Sequence, residues 1–163
     1  MSFQIHPLPY DAYAPLFALS DDELAAQSAR RMTVDVFPGT PCRVSLQDAD
    51  VGERVILINY QHQPEDTPYQ ASHAIFVREG ASQAELGAGD VPDVIRLRLI
   101  SIRGFDKEHM MIEADVVDGQ HVDKAIEMVF ENTDVRYIHL HIAKPGCFVA
   151  RVTRVEHWSL SGV

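Results

Sequence analysis

Residues 94–103, Val94-Ile95-Arg96-Leu97-Arg98-Leu99-Ile100-Ser101-Ile102-Arg103, and residues 110–117, Met110-Met111-Ile112-Glu113-Ala114-Asp115-Val116-Val117, carry the reading of the fold. Together they read as an antiparallel hairpin, two apolar-polar runs joined by a short polar stretch. Charge suggests the register. Arg98 opposite Glu113 and Arg96 opposite Asp115 would set Leu97 against Ala114 and Leu99 against Ile112 on the other face. Cross-strand charge pairs contribute roughly 0.2–1 kcal/mol each, and a one-residue slip would exchange the two faces. The hairpin is expected to have one wet face and one dry face.

On its C-terminal side Asp118 caps a helix expected over about Gly119–Glu131, with Val117 and Val122 as a hydrophobic staple. Val122, Ala125, Ile126, Val129 and Phe130 form the apolar stripe of that helix. Strands over Val135–Ala143 and Cys147–Glu156 follow, joined around Lys144-Pro145-Gly146. On the N-terminal side Ser20 and Glu23 make a capping box, with Leu19 and Leu24 at the staple positions. They open a helix expected to run from Asp21 to Arg31, where Arg30 and Arg31 suit the negative end of the dipole. Val34–Phe37, Arg43–Leu46, Val55–Tyr60 and Ala74–Val77 read as strands, and Gln61–Ser72 and Glu79–Pro92 as loops. The order predicts an α+β fold: one domain over residues 1–163, mainly an antiparallel sheet with two helices packed on it.

The whole chain of 163 residues carries 14 Lys+Arg against 24 Asp+Glu, a formal net charge of −10. An acidic surface repels phosphate backbones, so nucleic acid and anionic membranes are excluded as default partners. No apolar run approaches the ~18 residues that span a bilayer, and the N-terminus lacks a signal-peptide pattern. The expected setting is cytoplasmic, with Cys42 and Cys147 as thiols. The charge is uneven: Arg136 to Arg154 holds Arg136, Lys144, Arg151 and Arg154 with no Asp or Glu.

That segment also carries Tyr137-Ile138-His139-Leu140-His141-Ile142. Strand alternation puts Tyr137, His139 and His141 on one face, and Ile138, Leu140 and Ile142 on the core face. Two imidazoles two residues apart on a strand can share a metal, but a closed site needs further ligands, for which Cys147, His73 and Glu156 are candidates. A three-residue turn would pair His139 with Arg151 and His141 with Val149, bringing Cys147 and Arg151 to the histidine face. There Cys147 is a candidate nucleophile or redox thiol and His141 a candidate general acid/base. A two-residue Pro-Gly turn would move Cys147 away. Cys42 and Arg43, with Tyr60, His62, Tyr69 and Arg78, form a second constellation able to grip a carboxylate or phosphate.

Several stretches resemble one family. They are Phe37-Pro38-Gly39-Thr40-Pro41-Cys42-Arg43-Val44-Ser45-Leu46, Asp48-Ala49 with Gly52-Glu53, and Pro68-Tyr69. Ile75-Phe76-Val77-Arg78-Glu79, His139-Leu140-His141 and Gly146-Cys147 complete the set. The chain resembles the uncharacterised bacterial DUF1203 family, a likeness that implies a small stand-alone bacterial protein and supplies no activity. Three readings stay open at this point. The first is a small-molecule-binding domain, with an anion as one ligand class, whose pocket is lined by Arg43, Tyr60, Tyr69, Arg78, His139, His141 and Cys147. The others are a non-catalytic interaction module and a metal-binding protein using His139 and His141.

Overall fold

The computed structural model describes residues 2–156. Among these residues, eight strands are divided between two antiparallel sheets rather than gathered in one. The larger sheet joins β1 (Phe3–His6), β8 (Phe148–Arg154), β7 (Tyr137–Ile142), β5 (Leu99–Phe105) and β6 (Met111–Asp118), in that order. The smaller joins β2 (Ala29–Thr33), β3 (Arg54–Gln63) and β4 (Ala71–Arg78). Three α-helices accompany them: α1 (Asp21–Ala25), α2 (Asp93–Arg96) and α3 (Val122–Glu131). The α+β class stands, but the arrangement of one sheet under two helices does not. Only α3 is long, and the second sheet takes the place of the second helix.

The hairpin exists with a different register. Leu99 lies opposite Asp118, Ile100 opposite Val117, and Ile102 opposite Asp115. Ile100 and Ile102 are fully buried, while Leu97 and Leu99 remain 61% and 46% exposed. The dry face is therefore the one that carries the isoleucines. Fully burying an Ile stabilises by about 1.5–3 kcal/mol, more than an exposed charge pair contributes, so burial chose the register. Residues 93–96 wind into α2 instead of extending the strand. Arg98, freed from Glu113, makes two bonds of 2.6 and 2.9 Å to Asp48. Arg96 points to Asp123 at 4.0 Å rather than to Asp115.

The capping box of α1 is present, Ser20 Oγ accepting from the Glu23 amide and the Glu23 carboxylate accepting from the Ser20 amide. The helix nevertheless ends at Ala25, and Ser28 adopts a left-handed φ of 54° that turns the chain into β2. Arg30 and Arg31 thus lie on a strand, not at a helix end. Arg31 donates to the carbonyls of Phe17 and Leu19 and to Asp21. Residues 34–37 and 43–46 are not strands; Cys42 only makes an isolated bridge to Phe76. At the other helix the expected cap holds. Asp118 accepts from the Gln120 amide, Gly119–His121 form a 3-10 turn, and α3 continues with Val122, Ile126 and Phe130 buried.

These elements stack in layers. The stripe of α3 packs on Ile100, Ile102, Ile138, Leu140 and Ile142, one face of the larger sheet. The opposite face of β7 meets the C-terminal end of β3, where Tyr60 lies 5.5 Å from Phe148 and Gln63 donates to the Tyr137 hydroxyl at 2.9 Å. All six residues of β7 are buried in consequence. No helix among the described residues is long and apolar enough to cross a membrane.

Candidate metal centre

Strand β7 sits between β5 and β8, with His139 opposite Arg103 and Arg151, and His141 opposite Ser101. The expected pairing of His139 with Arg151 is present. One step further the ladder slips, and His141 pairs with Phe148 rather than Val149. This bulge turns the Phe148 ring onto the imidazoles, 5.2 Å from His139 and 5.8 Å from His141. Cys147 goes the other way, into the core with Ile142. It therefore does not join the histidine face.

The third member of the cluster comes from the smaller sheet. Strand β3 extends to Gln63, past the expected loop start, and an irregularity between Tyr60 and Gln63 leaves His62 and Gln63 both buried. The His62 ring stands 4.7 Å from that of His141 and 6.0 Å from that of His139, edge-on to both, and stacks parallel to Phe148. One ring nitrogen from each of His62, His139 and His141 lies within 4.8 Å of the others. None of Cys147, His73 and Glu156 belongs to this group.

The hydrogen bonding is as telling as the distances. His141 Nδ1 is 2.9 Å from the Gly146 carbonyl, which accepts its proton and leaves the Nε2 lone pair free. His141 Nε2, His139 Nδ1 and His62 Nδ1 are all buried with no hydrogen-bond partner among the described residues. A buried polar atom left unpaired costs roughly 1–3 kcal/mol, and three in one place form an unbalanced site. Burial, above all, pushes the pKa of His62 down to about 4, with help from Arg103 and His73. It pushes His139 and His141 down to about 3; neighbouring imidazoles and Arg103 add to this, while the Gly146 carbonyl opposes it at His141. All three are neutral at pH 7, the state in which imidazole ligates a metal.

A cavity of about 300 Å³ opens onto His62 and His139, and Tyr60, Gln63, Tyr137 and Arg151 also line it. The Tyr137 hydroxyl is held by Gln63 and lies 2.8 Å from His109 Nδ1; the Arg151 guanidinium sits 4.3 Å above the Tyr137 ring. Of the other candidates, Tyr69 lies edge-on to Phe105. Arg43 and Cys147 line a separate cavity of about 570 Å³. Cys42 is buried in the core of the smaller sheet, its sulfur 3.3 Å from the Arg78 amide, and Arg78 pairs with Glu53 at 3.4 Å. The single pocket expected from these residues is thus not assembled: Tyr60 and His139 line one cavity, Arg43 and Cys147 another, and Tyr69 and Arg78 line neither. Both cysteines are free thiols.

His62 is the functional candidate whose role the sequence hid, because it stands in a stretch that reads as a polar loop. The available signal was Tyr60-Gln61-His62, which continues the alternation of the strand before it.

An α+β protein built of two antiparallel sheets, closed between them by three buried histidines, is the class that fold and site define. The chain belongs to the DUF1203 family, proteins of unknown function, whose model matches residues 39–154 and so spans all three histidines. No curated protein and no solved structure matches the chain.

Proposed function

We propose that this protein binds one first-row divalent metal ion through His62, His139 and His141. The observation that carries this reading is the convergence of three neutral, buried imidazoles, each with a ring nitrogen lacking a partner. An all-imidazole set suits zinc, copper, nickel or ferrous iron rather than magnesium or calcium. Three protein donors leave a fourth tetrahedral position open, the pattern of reactive rather than structural sites. A metal there supplies Lewis-acid chemistry. The chain's own groups would do the rest: Tyr137 and Arg151 on the cavity wall would orient a small polar substrate, and Phe148 and Phe105 would exclude water from the imidazoles.

The test is metal analysis of untagged protein, followed by titration of chelated protein with Zn²⁺ and Co²⁺. One equivalent per chain is expected, with a cobalt visible spectrum of four- or five-coordinate nitrogen ligation. His62→Ala, His139→Ala and His141→Ala should each weaken the metal at least tenfold. Folded wild type that takes up less than a tenth of an equivalent of either ion sinks the reading.

A further inference from the structure

The larger cavity has a different chemistry from the histidine centre. At its base lies Arg43, 1% exposed, the largest of the fully buried side chains. Its Nε donates to the Phe148 carbonyl at 2.7 Å and its Nη1 to the Pro41 carbonyl, and the Cys147 thiol lies against the guanidinium. None of the ion pairs among the described residues includes it. A buried cation held only by dipoles is expensive, and such groups are normally paired. Arg98, on the same wall, is already neutralised by Asp48.

Apart from His73, the remaining wall is apolar, chiefly Leu57, Phe76, Leu97, Leu99 and Ile142, and exposed Lys144 stands at the rim. No Asp or Glu lines the cavity among the described residues. Its volume of about 570 Å³ falls in the range of small-ligand sites. A strongly acidic protein thus keeps a largely apolar cavity whose lining holds Arg43 with no ion-pair partner, His73, the paired Arg98 and Lys144, but no carboxylate.

We infer that this cavity binds an apolar monocarboxylate, its head group on the Arg43 guanidinium and its tail against Leu57, Phe76, Leu97, Leu99 and Ile142. A carboxylate matches the guanidinium fork and supplies the missing counter-charge. The inference does not depend on the metal reading, since no metal-site histidine lines this cavity.

Decanoate is the probe, titrated into the full chain by calorimetry, with 1-decanol as the uncharged control. Saturable one-to-one binding of decanoate is expected, at least tenfold tighter than decanol. Backbone amide shifts should fall at Leu97, Ile142 and Cys147. Arg43→Met should weaken decanoate at least tenfold. Because that variant removes a buried group and can fail to fold, Leu97→Asp serves beside it: the site is exposed, and a carboxylate at the mouth should weaken decanoate at least tenfold. The inference is overturned if decanoate does not saturate, if decanol binds equally well, if Leu97→Asp binds like wild type, or if the shifts fall only at Tyr137 and Arg151.

Discussion

Burial holds His62, His139 and His141 neutral, and this has a cost that depends on pH. In the unfolded chain a histidine titrates near 6.5, whereas in the fold these three take up protons only at about 4, 3 and 3. Below pH 6.5 the unfolded state therefore binds more protons than the native one. Stability is complete above pH 6.5 and is lost as the pH falls toward the folded values, by up to ~1.4 kcal/mol per pH unit for each histidine. Urea midpoints of chelated protein should be level from pH 8 to 7 and fall clearly between pH 6 and 5. A midpoint that stays level across that lower interval would contradict the burial of the imidazoles. The same shifts mean that protons compete with a metal only well below pH 6, unlike at a site of ordinary histidines.

At the scale of elements, close backbone approaches set the tolerances. A Cβ built on Gly119 would lie 2.0 Å from the Ile95 carbonyl oxygen and 2.6 Å from that of Arg98, so β6 and α3 can be joined there only by glycine. Gly119→Ala is expected to destabilise by more than about 2 kcal/mol, read from the shift in urea midpoint at constant slope. The local signals at this junction were fully legible: Asp118 as cap, and the stripe from Val122 to Phe130. Legibility failed where a long-range contact outweighed a local one. Arg31 reads as a helix terminus, but β2 pairs it with Ile56 and two carbonyls hold its side chain. The hairpin register reads from charges, but burial of Ile100 and Ile102 is worth more. Neither the bulge that exchanges Cys147 for Phe148 nor the reach of His62 across two sheets leaves a mark in local sequence.

For the molecule as a whole, the three proposed metal ligands come from different sheets, His62 from β3 and the other two from β7. An ion held by all three would tie the sheets together and bind the unfolded chain far less well. Zn²⁺ at a hundredfold excess over its Kd should then stabilise by about 2.7 kcal/mol, seen as a rise in Tm on addition and a fall on chelation. A Tm indifferent to both would mean that the sheets are joined by packing alone. Strand β7 carries a last consequence. With a helix on one side and a second sheet on the other, all six of its residues are enclosed. A change of volume at Ile138, Leu140 or Ile142 is therefore expected to cost the fold, just as losing an imidazole at position 139 or 141 would cost the proposed metal site. Among relatives, an invariant block at this strand would accordingly be no proof of function. The informative comparison is between histidine and an equally bulky apolar residue at positions 139 and 141, because packing accepts either and a metal accepts only one.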